Sequence, residues 1–257
     1  MQTADPWAPR TERGANRGYA LLGAVLVSIL GIAVGFVFSG VVIFGTVWLG
    51  VDLSLLALVA VVFVTTAIGF VATGTAYLSL RGISIRTYVS VRAPGFGDLL
   101  WVVGGYVAAL SLVFVAGILL TILQVAPETT NQAAELGMEN PELLLWLVPL
   151  SILVVAPGEE LLFRGVVQGR LREGFEAKVA IPVTAALFAS VHYFSLTGAA
   201  EARLMAIAIL FVPSLVFGYA YERSMNLLVP ILIHGLYNST LVLVLYVVIE
   251  TAGNAPV

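Results

Sequence analysis

The stretch that decides the fold is residues 143–168, LLLWLVPLSILVVAPGEELLFRGVVQ. It is long enough to cross a membrane, because a spanning helix needs about 20 mostly apolar residues. Its second half nevertheless carries Glu159, Glu160 and Arg164. Charged side chains are costly inside a bilayer, so they usually face the protein interior and mark a functional site. This segment therefore predicts a membrane helix that contributes charged residues to a functional site.

The composition of the whole chain also indicates a membrane protein. Of its 257 residues, 60% are hydrophobic and 11% are charged, and the mean hydropathy is +1.03. An average protein has roughly 45–50% apolar and about 25% charged residues. So little charge and so much apolar surface exclude a soluble globular enzyme, a disordered chain and a nucleic-acid-binding protein. We therefore expect membrane lipid, and no nucleic acid, as a partner.

The apolar stretches predict an all-α fold, a polytopic bundle of about seven membrane-spanning helices. The spans are expected at about 19–46, 53–79, 98–124, 143–168, 178–195, 203–221 and 226–249. The uncharged stretch between Arg17 and Asp52 is too long for one straight span and short for a helical hairpin. We interpret it as one tilted or extended helix, and an eighth span arises only if it folds back. Residues 1–18 form a polar tail and residues 19–250 the bundle, without an internal repeat or a domain boundary.

The positive charges predict the orientation of the bundle. Outside the spans, the arginines and the lysine lie in the polar tail or in the loops after the second, fourth and sixth spans, with Arg203 as the exception. An excess of Arg and Lys marks the cytoplasmic side of a membrane. The N-terminus is therefore expected in the cytoplasm, and the protein in the plasma membrane of a prokaryotic cell. The tail precedes a retained first span and does not form part of a cleavable signal peptide.

Polar side chains recur on three of the predicted spans. They are Glu159, Glu160 and Arg164 in the fourth, Phe188 and His192 in the fifth, and His234 and Asn238 in the seventh. Glu160 and Arg164, four residues apart on one helix face, should form a salt bridge. Glu159 lies about 100° further round the helix and points elsewhere. Counted from the cytoplasmic ends at about 1.5 Å per residue, Glu159 and His234 lie roughly 12–15 Å deep and His192 somewhat deeper, so the three could meet in one pocket.

Pro157 and Gly158 directly precede the two glutamates. Proline removes a backbone hydrogen bond from a helix and kinks or breaks it. If a new half-helix begins here, Glu159 and Glu160 occupy its first turn, where the helix dipole stabilises carboxylates. An opened backbone inside a bilayer must face protein or water. We therefore expect a water-accessible cavity beside the glutamates.

The combination of residue types fits the activation of a water molecule. The chain has no cysteine, which excludes thiol nucleophiles, Cys–zinc sites and disulfides. A carboxylate can accept a proton from water while a histidine orients it, and histidine or asparagine can donate hydrogen bonds to an oxyanion. Alternatively, Glu159, His192 and His234 could bind Zn²⁺, which lowers the pKa of bound water to about 7. The sequence lacks a His-Glu-x-x-His motif, and hydrolysis with and without a divalent metal both stay open. No organic cofactor is expected.

The ordered set Glu-Glu-x-x-x-Arg, Phe-x-x-x-His and His-x-x-x-Asn, each on its own apolar helix, resembles the CPBP family of intramembrane proteases. These are the CAAX-protease and bacteriocin-processing proteins, which include the type II prenyl endopeptidases. The resemblance covers about residues 143–240, and no motif position departs from it. It implies an endopeptidase with its active site inside the membrane, acting on membrane-associated peptides or proteins such as prenylated CAAX substrates. The family is labelled a metalloprotease family, and a glutamate–histidine mechanism without a tightly bound metal is also argued for it.

The resemblance also implies a role for each motif position. Glu159 would be the principal carboxylate that activates water, with His192 as its partner. Glu160 would support Glu159 and pair with the arginine of its motif. His234 and Asn238 would form the oxyanion site or, with a metal, help to hold the ion.

Each motif also has a purely structural interpretation. Glu160 and Arg164 could be an ion pair that closes the bundle, and His192 could be a buried histidine bonded to a backbone carbonyl. His234 and Asn238 could be hydrogen-bonding links between helices. That all three motifs coincide by chance is the weaker hypothesis, because burying such groups in a bilayer is costly.

Two other functions compete with proteolysis. A proton-coupled transporter would also use intramembrane charged groups, but it predicts inverted repeats and a second broken helix, for which Pro213 is the candidate. A non-proteolytic immunity or scaffold protein on the same fold would be expected to lack a motif residue, and none is missing.

Overall fold

The computed structural model describes residues 16–126 and 128–253. The described residues are 83% helical and contain no strand; one isolated β-bridge joins Asn131 and Leu196. Most of the predicted polar tail lies outside the described residues, and so do Arg10 and Arg13, on which the predicted orientation partly depends.

The described ranges contain nine helices. They are α1 (Arg17–Trp48), α2 (Leu55–Leu80), α3 (Ile85–Tyr88), α4 (Phe96–Ile122), α5 (Gln132–Glu139), α6 (Pro141–Arg172), α7 (Ala177–Val191), α8 (Ala200–Ser224) and α9 (Leu228–Gly253). A 3₁₀ turn, His192–Phe194, extends α7. All except α3 and α5 are long and apolar enough to cross a membrane. These seven helices confirm the predicted all-α polytopic bundle.

The first apolar stretch is one continuous helix of 32 residues, so it does not fold back. At about 1.5 Å per residue α1 is about 48 Å long, longer than the roughly 30 Å hydrocarbon core. Close packing fixes α1 against α2: a Cβ atom on Gly69 would lie 2.6 Å from the backbone of Gly35. One turn further, the hydroxyls of Ser39 and Thr65 are hydrogen-bonded at 2.6 Å.

The central helix is α6. Leu162, Phe163 and Val166 in its second half are fully buried. It contacts α1, α2, α7, α8 and α9. The charged side chains of Glu159, Glu160 and Arg164 are therefore enclosed by protein, as the cost of exposing them to lipid requires.

The α6 helix is continuous through Pro157, so the half-helix considered as beginning there is not present. Two π-helical segments, Ser151–Val155 and Leu161–Gln168, alternate with α-helical turns. The N–H of Ala156 donates to the carbonyl of Ser151, a bond that spans five residues instead of four. This wider turn accommodates the proline ring, which would otherwise collide with the carbonyl four residues back. Both glutamates therefore lie within a continuous helix and not at a helix start.

Arginine side chains from several loops and helix ends meet at one end of the bundle. This arginine-rich end comprises Arg81, Arg92, Arg170, Arg172 and Arg223. At its centre Glu173 accepts two hydrogen bonds from Arg81, at 2.9 and 2.7 Å, one from the Tyr88 hydroxyl at 2.6 Å and one from Arg170. Burial raises the pKa of Glu173, but the hydrogen bonds from Arg81 and Tyr88 and the charges of Arg81 and Arg170 outweigh it and hold the pKa below its usual value. This network ties α2 and α3 to α6.

Candidate active site

The polar side chains of the three motifs come together between α6, α7 and α9. The ring of Phe188 on α7 contacts both histidines, with centroid distances of 4.8 Å to His192 and 5.7 Å to His234. His234 in turn contacts both glutamates of α6. The three motifs therefore lie close together, as expected from the depths of Glu159, His192 and His234 along their helices.

Glu160 is the anchor of the site. Its side chain is fully buried, and its Oε1 atom accepts hydrogen bonds from Arg164 and from Nδ1 of His234, both at 2.8 Å. The salt bridge predicted from the four-residue spacing is thus confirmed. A buried carboxylate is stable only when it is paired and hydrogen-bonded, and both conditions are met at Oε1, whereas Oε2 has no hydrogen-bond partner among the described residues.

Arg164 connects this anchor to α8. Its guanidinium donates to the carbonyl of Ser214 at 3.1 Å and to the hydroxyl of Ser214 at 2.7 Å. It also lies 4.6 Å from the ring centroid of Phe188 and 5.4 Å from that of Phe217. Together with the ion pair to Glu160, these hydrogen bonds and aromatic contacts offset the free-energy cost of burying the cation.

His234 is held from three directions. Its Nδ1 atom donates to Glu160, and its Nε2 atom accepts from the Asn238 amide at 3.0 Å. The Phe217 ring stacks on the imidazole at 5.0 Å and 20°. A ring with one donating and one accepting nitrogen is a neutral imidazole in one fixed tautomer. His234 therefore orients Asn238, and the second N–H of that amide stays available.

Glu159 is the open member of the pair. Its side chain is 16% exposed, whereas that of Glu160 is fully buried. Its Oε2 atom lies 3.8 Å from Nε2 of His234 and has no hydrogen-bond partner among the described residues. A separation of 3.8 Å is too long for a direct hydrogen bond, so Oε2 can accept one from another group. Such an unsatisfied buried oxygen needs an explanation, and a catalytic role is one of those known.

His192 lies at the C-terminal end of α7. Its Nδ1 atom is 2.9 Å from the Phe188 carbonyl oxygen, which can only accept, so Nδ1 carries the proton. Nε2 is then the accepting nitrogen. No hydrogen bond joins His192 to Glu159 in the described ranges, so a partnership between them requires a shared water or substrate.

The ligand set expected for a metal does not fit this geometry. No three His, Asp or Glu side chains in the described part of the chain are grouped so that they could hold an ion. Both ring nitrogens of His234 are engaged, by Glu160 and Asn238. We therefore derive no step through a metal, and its participation stays a prediction.

The segment that carries the site also matches a known family. The family model is described as type II CAAX prenyl endopeptidase Rce1-like. Residues 141–240 match this Rce1-like family. The match includes all three motifs and confirms the resemblance stated from them. No curated protein and no solved structure matches the chain.

At the level of the Rce1-like family, this segment supports a CAAX-type protease of the membrane.

The contribution of α8 was not predicted from the sequence. Ser214 follows Pro213 in an apolar helix, and a serine beside a proline was the only signal; nothing in the sequence distinguishes Phe217 from other core residues. Helix α8 is continuous through Pro213, so neither candidate break required by the transporter hypothesis is present in the described helices.

Proposed function

We propose that the chain is an intramembrane endopeptidase that hydrolyses peptide bonds in membrane-associated substrates of the prenylated CAAX type. The observation that carries the proposal is the buried Oε2 atom of Glu159, which lies 3.8 Å from Nε2 of His234 and has no hydrogen-bond partner among the described residues. The two carboxylates differ in their contacts, because Glu160 is paired with Arg164 and hydrogen-bonded to His234 through Oε1, whereas Glu159 approaches His234 only at 3.8 Å. The match to the Rce1-like family supports the choice of substrate.

Glu159 and His192 are the groups that we propose to activate water. A water molecule hydrogen-bonded to Oε2 of Glu159 and to Nε2 of His192 would lose a proton to Glu159 as its oxygen attacks the scissile carbonyl carbon. The same proton would then pass from Glu159 to the departing amine nitrogen as the carbon–nitrogen bond breaks. General acid–base catalysis of this kind contributes about 10²–10⁴-fold to a rate.

Asn238 is the group that we propose to stabilise the oxyanion. One N–H of its amide donates to His234, and the other would donate to the tetrahedral oxygen. In the tautomer inferred from its contacts, Nε2 of His234 carries no proton to donate, so His234 acts by orienting Asn238. Loss of one oxyanion donor typically lowers kcat by about 10²–10³-fold.

Glu160 and Arg164 are positioning residues in this mechanism. Both side chains are fully buried and cannot touch a substrate. They fix the tautomer and the plane of His234, and the π-helical segment Leu161–Gln168 carries Arg164 to Ser214 on α8.

The test is cleavage of a farnesylated CAAX peptide by detergent-purified protein. Wild type should cleave it, and Glu159→Gln should lose activity by at least about 10²-fold while keeping its thermal stability. Glu142→Gln, which removes an exposed carboxylate in the first turn of the same helix, should keep full activity. Full activity in Glu159→Gln would refute the mechanism.

Metal analysis of the same samples tests the remaining alternative. Stoichiometric zinc in wild type, with activity lost to a chelator and restored by zinc, would assign Glu159, His192 and His234 to metal binding. A wild type that binds the peptide without cleaving it would favour the non-proteolytic scaffold function.

A further inference from the structure

A groove runs between α4 and α8, lined by residues that take no part in the site described above. Its volume is about 810 Å³, and small residues of α4, among them Gly104 and Ala108, face Val216 and Tyr219 of α8. At the arginine-rich end it continues into a polar mouth of about 300 Å³. Sites for small ligands in proteins have volumes of about 300–1,000 Å³.

Two glycines of α4, Gly97 and Gly104, leave this space open and do not serve close helix packing. A Cβ atom on Gly97 or Gly104 would meet nothing within 4 Å. Gly105 is different, because its Cβ atom would lie 2.5 Å from Ile233 on α9. Gly105 therefore permits contact between α4 and α9, while Gly97 and Gly104 leave the groove open.

The mouth of the groove carries a surplus positive charge. Arg92 holds Asp98 through two hydrogen bonds, at 2.5 and 2.9 Å, and Asp98 also accepts from the N–H of Gly95 and from Asn226. Asp98 lines the mouth, but it is only 5% exposed and its charge is compensated. Arg223 is exposed and forms no salt bridge with any described residue.

Trp101 joins the polar mouth to the apolar groove, since its side chain lines both. The guanidinium of Arg223 lies 5.9 Å from the Trp101 ring, and Tyr219 packs edge-on against that ring at 5.8 Å. Tryptophan and tyrosine are enriched at the level of lipid headgroups, where one end of the side chain is apolar and the other is wet. The change in polarity at Trp101 is thus the pattern expected at headgroup depth.

We propose that this groove binds one anionic phospholipid, with its phosphate at Arg223 and Arg92 and an acyl chain along α4 and α8. The apolar part alone cannot select a ligand, because the surrounding lipid tails are as apolar as the groove. Selection must come from the charged mouth, and a guanidinium binds phosphate oxygens in bidentate geometry. Basic pockets between membrane helices recognise anionic headgroups in this way. The proposal does not depend on proteolysis.

The test is the affinity of the full chain for phosphatidylglycerol and for phosphatidylcholine with the same acyl chains, measured by native mass spectrometry from detergent. Wild type should prefer phosphatidylglycerol. Arg223→Gln should weaken binding of phosphatidylglycerol about fivefold, because one arginine near a headgroup contributes about that factor. It should weaken binding of phosphatidylcholine less, because the choline cation offsets the charge of the same phosphate. The matched control Arg86→Gln removes an exposed arginine that does not line the mouth and should change neither affinity.

A second pair of variants tests the apolar part. Gly104→Leu should fill the groove and reduce retention of phosphatidylglycerol, whereas Gly117→Leu, at an open glycine of the same helix outside the groove, should not. Equal effects of Arg223→Gln and Arg86→Gln, or no preference in wild type, would overturn the proposal. Full competition by glycerol 3-phosphate would show a plain anion site. A change of oligomeric state in Gly104→Leu alone would show that a second copy of the chain occupies the groove.

Discussion

Removing Arg164 should separate the structural from the catalytic role of its ion pair with Glu160. In Arg164→Leu, the carboxylate of Glu160 stays fully buried and keeps only His234 as a partner. Breaking a buried pair by removing one partner typically costs about 3–5 kcal/mol. We therefore expect a loss of that size in the free energy of unfolding, measured by denaturant titration in detergent micelles, together with loss of peptide cleavage.

The double variant Glu160→Leu/Arg164→Leu is the informative comparison. Replacing a whole buried pair by apolar side chains of similar volume is often neutral or stabilising, so most of the lost stability should return. Activity should not return, because Nδ1 of His234 would have no acceptor and the orientation of Asn238 would be lost. A double variant that is both stable and active would refute the positioning role.

An exposed ion pair provides the control for this series. Lys178 and Glu176 lie 2.9 Å apart with more than three-quarters of each side chain exposed. Solvent screens such pairs, and many contribute nothing measurable. Lys178→Leu should therefore leave stability and activity unchanged. A large effect there would show that the assay does not distinguish a buried ion pair from an exposed one.

Three further outcomes are expected. Phe217→Leu removes the ring stacked on His234 while keeping apolar volume, and should lower kcat about tenfold with a smaller change in KM; an unchanged kcat would contradict a positioning role. The contacts that lower the pKa of Glu173 stabilise the folded state above the unfolded pKa of about 4.3, and this stabilisation is lost as the pH falls through the pKa of the folded state. Melting temperatures should therefore drop on acidification, and Glu173→Gln should flatten that drop. Gly158→Ala places a Cβ atom 2.8 Å from that of Ala67 and should cost about 1–3 kcal/mol in the free energy of unfolding; equal melting temperatures would show that α2 and α6 can separate freely.

The spans and the ion pair were predictable because each depends on local sequence. A bilayer requires long apolar stretches, and helical spacing places Glu160 and Arg164 on one face. Both patterns persist in the folded bundle, because lipid satisfies neither the backbone polar groups of a non-helical segment nor an unpaired charge. The predicted helices and the salt bridge are accordingly present.

The shape of α6 was not predictable from the same rules. Pro157 indicates a break when the helix is considered alone, yet the structure retains the helix by widening it on either side. Packing of Gly158 against Ala67 favours a continuous path, because a break there would open the contact with α2. Similarly, Ser214 and Phe217 act only through contacts with Arg164 and His234 on other helices, and such long-range contacts leave no periodic pattern in the sequence.

The division of work between two adjacent glutamates follows from this geometry. Because Glu160 faces Arg164 and His234, its charge is fully compensated and its position is fixed. Glu159, one residue earlier, approaches that network only through His234, at 3.8 Å, and its side chain is partly exposed whereas that of Glu160 is fully buried. A carboxylate that stabilises the bundle must be satisfied, whereas one that removes a proton from water must stay open to it. One helix can supply both only if the two carboxylates point in different directions, and adjacent positions about 100° apart meet that requirement.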